Sequence, residues 1–189
     1  GLQPPGGAPM MGGYTFILGS DSQGRDMYSA IVYGLRISLL VGLASAVFAA
    51  LVGASLGLIA AYAGGRTETA IMRLVDLQLS FPTILVALMI LAFLGKGVGN
   101  VILALIIVEW ATFARTARAA ALVEIRKEYI AAAETMALSH WRILTRHLLP
   151  NCIPPLIVIV TMLVARAISL EATLSFLGVG VPITEPSLG

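Results

Sequence analysis

Long apolar runs alternate with shorter polar ones along this chain. Four runs approach or exceed membrane-crossing length: Ile37–Ala63, Ile71–Leu94, Val98–Ala114 and Cys152–Leu170. A helix needs roughly 20 apolar residues to cross about 30 Å of hydrocarbon. The pattern therefore predicts an all-α polytopic membrane protein with four visible spans. At about 1.5 Å per residue the first run could extend roughly 40 Å, so it must tilt or project beyond the hydrocarbon. Four helices buried in a soluble core fit these lengths poorly.

Local signals refine the elements. In the first run Ser45, Ala49, Gly53, Gly57 and Ala61 fall four apart. Lipid gives little hydrophobic drive between helices, so small residues that let backbones approach mark a face packed on other helices. Gly64-Gly65 is expected to end this span. Within "LSFPTIL", Pro82 removes a backbone donor and predicts a bend near Leu79. Ahead of the first span, Asp21 or Ser22 can cap a helix start. Met27, Ile31 and Leu35 then predict an amphipathic helix lying in the outer interface before the chain turns inward. Residues 1–36 read as an extracytoplasmic tail, opened by the Gly/Pro-rich stretch 1–13, plus this interfacial helix. Residues 37–170 read as the transmembrane core, and 171–189 as a further extracytoplasmic segment.

Composition agrees: the chain is 58% hydrophobic with a mean hydropathy of +0.94. The net charge of +2 says little about partners, but the placement of basic residues does. Segments 64–73 and 115–149 carry eight Lys and Arg, against Arg25, Arg36 and Lys96 on the other side. The positive-inside bias puts segment 115–149 in the cytoplasm.

Ionisable residues within spans are costly and usually face protein or water. Glu109 and Arg166 lie in spans and Glu171 at a span end; a translocation pathway and a helix–helix ion pair are both open for them. Asp76 is expected to snorkel to the interface. "GKGVGN" fails the phosphate-loop pattern, and no nucleotide-binding motif appears. His140 and His147 lack a nearby nucleophile or ligand set, so neither catalysis nor a metal site is expected. Cys152 reads as packing.

From Ala114 to Ala137 strong helix formers predict that the third span continues into the cytoplasm as helix. Tyr129, Ala132, Ala133 and Met136 make one narrow face, bordered by Glu128, Ala131 and Thr135. Ser139 can cap a second helix, "HWRILTRHLL", ending before Pro150. A shallow alanine face suits a groove in a partner protein, and a helix resting on the membrane surface remains the alternative.

"AAAETMALSHWRILTRHLLP" resembles the EAA loop of ABC-importer permeases, with Ala131, Ala132, Ala133, Ala137, His147, Leu149 and Pro150 at the matching positions. Ala131 replaces an acidic residue, His147 an apolar one, and Ala137 a glycine, which is expected to straighten the turn there. "LGSDSQGRD" and "EATLSFLGVGVP" are similar to signatures of the second permease subunit in the dipeptide, oligopeptide and nickel group. The resemblance implies the importer-permease (MetI-like) helical bundle with six spans, of which four are visible. It also implies a second homologous permease subunit, two ATPase subunits and an extracytoplasmic substrate-binding protein, in a bacterial or archaeal cytoplasmic membrane. ATP and Mg would be bound by the ATPase subunits; no cofactor in this chain and no nucleic acid is implied. The Glu128–Ala137 helix would couple the spans to ATP hydrolysis. An ion-coupled secondary transporter and a non-transporting assembly subunit are the other classes open to the residues alone.

The charge asymmetry sets a topology test. With Cys152 replaced by Ser, single cysteines at Arg126 or Lys127 should resist an impermeant thiol reagent on intact cells, while those at Lys96 and Thr184 should react. Labelling at 127 but not 184 would reverse the orientation.

Overall fold

The computed structural model describes residues 17–20, 24 and 26–181. The cap sites Asp21 and Ser22, together with Arg25 and Thr184, lie outside the described residues. Among those described, the only strand-like pairing is an isolated bridge between Ser20 and Asp26.

Helix α1 (Met27–Ala63) is 37 residues long, or about 55 Å. Asp26 caps it, its carboxylate accepting from the amides of Tyr28 and Ser29. The separate interfacial helix expected over 27–36 does not form. No proline interrupts this stretch and its one glycine, Gly34, is buried in the helix, so the turns run straight into the span. The helix stops at Gly64, whose φ of 61° few other residues adopt readily.

All five rungs of the small-residue ladder are buried. A Cβ on Gly53 would lie 2.2 Å from the carbonyl oxygen of Trp110, and one on Gly57 2.3 Å from that of Ala114. These contacts place α1 directly against α4 (Val98–Glu124). Leu40, Leu43, Phe48 and Leu51 point away from the bundle and are exposed. Small residues inside and large apolar ones outside is the arrangement lipid favours.

The expected second span is broken rather than gently bent. Helix α2 (Gly65–Ser80) and α3 (Thr83–Leu94) meet at 89° across Phe81-Pro82. Pro82 has no N–H to continue α2, and its ring disfavours helical geometry at the residue before it. Phe81 accordingly adopts an extended conformation, with ψ of 141°.

Register shows how often the chain crosses. Gly53 meets Trp110 and Phe113 while Gly57 meets Ala114 and Ala117, so α1 and α4 run parallel. Parallel neighbours require an odd number of crossings between them, so α2 and α3 together make one. The last long helix runs antiparallel to α1: Gly42 meets Ile168, whereas Leu58 packs near Leu156 and Cys152. The bundle thus has four spans, and Ala63, Glu124 and His140 share one end.

That last helix differs from expectation at its start. Ser139 caps it, accepting from the Arg142 amide, as its sequence position predicts. The helix does not end before Pro150. A short α6 (His140–Arg142) passes through a π-helical turn, Ile143–Leu148, into α7 (Leu149–Phe176). In the wide turn Leu149 donates to the Leu144 carbonyl, five residues back. Pro150 can donate to nothing, and the extra residue loosens the ladder where its ring would clash. The Asn151 side chain donates to the His147 carbonyl at 2.6 Å. Cys152 is fully buried, as its packing assignment requires.

Gly57→Val should prevent the α1–α4 approach, because the obstructing atoms are backbone. Overpacking costs roughly 1–3 kcal/mol where side chains can yield, and these cannot. We expect little folded protein to survive mild detergent extraction. Gly99→Ala, where an added Cβ meets nothing within 4 Å, should extract normally.

Candidate functional site

Two features carry chemistry beyond packing: a short helix presented at one end of the bundle, and charges within it.

Helix α5 (Glu128–Thr135) follows a turn that ends α4, so the helix expected over 114–137 is interrupted. Glu124 clamps that turn. Its carboxylate accepts from Lys127 Nζ at 2.7 Å and from the Tyr129 hydroxyl at 2.8 Å. Burial pushes the Tyr129 hydroxyl up to about 12, and the bond to Glu124 acts in the same direction. The hydroxyl therefore remains a donor throughout the physiological range.

The other end of α5 is closed by a Schellman turn. Leu138 donates to the Ala133 carbonyl at 3.2 Å and Ala137 to that of Glu134 at 2.9 Å. Ala137 is not straightened: it takes the left-handed conformation its glycine counterpart would, with φ of 54°. The two carbonyl bonds and Leu138, packed beside Ile130, Ala133 and Ile143, hold it there.

The face expected on α5 is rotated. Ala133 is 1% exposed, buried with Ile130 and Ile143 against Tyr62, and Tyr129 is half-buried. The exposed residues are Glu128, Ala131, Ala132, Glu134, Thr135 and Met136, and all but Glu134 fall at i, i+3, i+4, i+7 and i+8. Of the original face, Ala132 and Met136 remain available; Ala133 belongs to the support. Ile130 is the missed signal, since a β-branched apolar residue among alanines marks the inward side. Tyr62, at the end of α1, completes the mounting: its hydroxyl lies 2.8 Å from His140 Nδ1.

Within the bundle, Glu109 is 2% exposed and Arg166 Nε lies 3.5 Å from its Oε1. Neither Glu109 oxygen accepts a hydrogen bond among the described residues. Arg166 Nη2 donates to Thr83 Oγ1 at 3.0 Å. Glu171 is not part of this pair. It is fully buried and accepts from Ser38 at 3.1 Å and Ser175 at 2.8 Å, joining α7 to α1. Ser175 Oγ in turn accepts from the Val181 amide. A Cβ on Gly180 would lie 2.5 Å from that same oxygen, which explains the glycine in "EATLSFLGVGVP". Asp76 stays exposed and pairs with Arg115, while Glu68 pairs with Arg118, so α2 is tied twice to α4.

This architecture is that of a multi-pass helical membrane protein presenting a loop helix at one end. Residues 53–189 match the family described as binding-protein-dependent transport system inner membrane component, and the chain belongs to that family. A Brucella suis biovar 1 permease protein named for a peptide transport system is 43% identical over 188 residues, covering 100% of this chain and 61% of that protein. The di/tripeptide transport system permease protein DppC of Pseudomonas aeruginosa is 40% identical, covering 92% of this chain and 57% of that one. The chain thus spans about three fifths of the length of these curated relatives. A chain of the inward-facing MetNI methionine ABC transporter has a similar fold, with a TM-score of 0.73 at 20% identity over 82% of this chain and 77% of that one. The resemblance drawn from the three sequence motifs is borne out.

Ala137→Gly tests the strained turn. A left-handed alanine costs roughly 1–2 kcal/mol, and glycine's extra freedom in the unfolded chain returns part of that. The variant should melt slightly later in detergent, with the loop unchanged. An earlier Tm would show that no strain is held there.

Proposed function

We propose that this chain is a permease subunit of an ATP-driven importer for di- or oligopeptides in a bacterial or archaeal cytoplasmic membrane. It forms half of the translocation pathway beside a second homologous permease. Two ATPase subunits bind ATP and Mg, and an extracytoplasmic substrate-binding protein delivers the cargo; this chain contributes no catalytic group. The relatives named for peptide transport support the substrate class.

One observation carries the coupling role: the exposed face of α5, shallow in alanine and edged by Glu128 and Met136. Ile130 and Ala133 anchor the opposite face on Tyr62 and Ile143, so a force applied to the helix passes into α1 and the π-helical turn without being absorbed by rotation. The face of a short helix with small central residues fits a protein cleft by close approach.

Substitutions on the two faces separate coupling from support. Ala132→Trp should leave the protein inserted in normal amount, yet prevent ATPase subunits from co-purifying or uncouple hydrolysis from uptake. Ala133→Trp, placed in the supporting cluster, should instead loosen the loop and raise its protease sensitivity. Normal uptake with ATPase subunits bound in Ala132→Trp would reject the coupling role, because tryptophan is tolerated where a helix merely rests on headgroups.

A further inference from the structure

We infer that Arg166 is an anchoring point in the pathway for the carboxylate of the transported peptide, with Glu109 and Thr83 as positioning residues. This rests on the peptide-permease reading.

The argument begins with donors. A guanidinium has five N–H groups. Among the described residues Arg166 uses one in a hydrogen bond, Nη2 to Thr83. Its Nε stands 3.5 Å from Glu109, close enough for charge attraction and too far for a well-made bond. The side chain is 48% exposed, although its partner carboxylate is 2% exposed. The pair is therefore lopsided. Glu109 lies inside the bundle and holds the guanidinium electrostatically, and the remaining donors point outward.

Acyl chains are an unfit environment for those donors, since a charge at that depth is costly in lipid. The surrounding surface is mixed. On α7, Thr161, Ala165, Ser169 and Thr173 are exposed on one side with Arg166, interleaved with the apolar Val158, Met162 and Phe176. The three hydroxyls bond back to backbone carbonyls, so each is satisfied within the helix. Among these exposed side chains, Arg166 keeps unspent donors. The break at Pro82 adds a second favourable element: the first turn of α3 starts at Thr83, beside the guanidinium, and carries no side-chain cap. Free amides at a helix start favour negative charge. A carboxylate accepting from Arg166 in this position forms charge-assisted bonds, and the ion leaves easily because Glu109 competes for the same cation.

The test uses cells carrying the complete transporter. Glu109→Gln/Arg166→Gln removes both charges, so neither is left buried and unpaired. Uptake of a labelled dipeptide is measured against its C-terminal amide, with the permease quantified in membranes. The binding protein is unchanged by the substitutions, so an altered preference reports on the permease. The neutral variant should be present in normal amount, import the free peptide at least about tenfold more slowly, and lose preference for it over the amide. Arg166→Lys should restore much of both. A neutral variant retaining the wild-type rate and preference would overturn the anchor and leave the peptide reading intact. Wild-type cells importing neither compound would overturn the peptide reading, and the anchor with it.

Discussion

The contact of α1 with α4 at Gly53 and Gly57 governs the rest of the molecule. Two backbones meet where any side chain would collide with a carbonyl oxygen. Because the helices run parallel at this contact, the intervening chain must return across the bundle once. That return is made by a helix snapped at Pro82, and the snap places Thr83 beside Arg166. The close approach also brings the ends of α1 and α4 together, so Tyr62 and Glu124 flank one platform. Helix α5 is mounted on it from below by Ile130 and Ala133. In lipid such an interface rests on dispersion between near-touching surfaces rather than on expelled water.

Much of this was legible in the residues. The ladder from Ser45 to Ala61 announced the buried side of α1, because small side chains at four-residue spacing have few other uses in a span. Gly64 and Ser139 marked a stop and a start through local chemistry alone. The failures share a physical origin. An alanine-rich helix carries little information on which side faces inward, and the decision for α5 was made by Ile143, ten residues away in sequence from Ala133. Pro82 forecast a break in the ladder but not its angle, which depends on what α2 and α3 each pack against. Ala137 kept the glycine conformation because two carbonyl bonds and Leu138 outweigh the strain. Helix continuity at the interface failed for a simpler reason: exposed apolar residues at Met27, Ile31 and Leu35 are as compatible with a long span as with a helix lying flat.

The charged residues were visible as candidates, with Glu109 and Glu171 both open as partners of Arg166. Glu109 and Arg166 are far apart in sequence, and the two carboxylates open to Arg166, Glu109 and Glu171, lie on different helices. The structure separates them by partner type. Glu171 is satisfied by hydroxyls and fastens α7 to α1. Glu109 accepts no hydrogen bond among the described residues, and a guanidinium stands beside it. A carboxylate with complete hydrogen bonding acts as a rivet; one with a single cation beside it depends on that cation.

The unbroken run from His140 to Phe176 gives the molecule a lever arm. Its short end lies beside α5 and its long end carries Arg166 and Glu171. Over about 55 Å, a tilt of roughly 5° at one tip displaces the other by about 5 Å, comparable to a full helical turn. The ladder of this arm is interrupted twice, by the wide turn at Ile143–Leu148 and by Pro154-Pro155 inside α7, which donate no backbone bond. Stiffness beyond these two interruptions would set how far a displacement at one tip carries to the other.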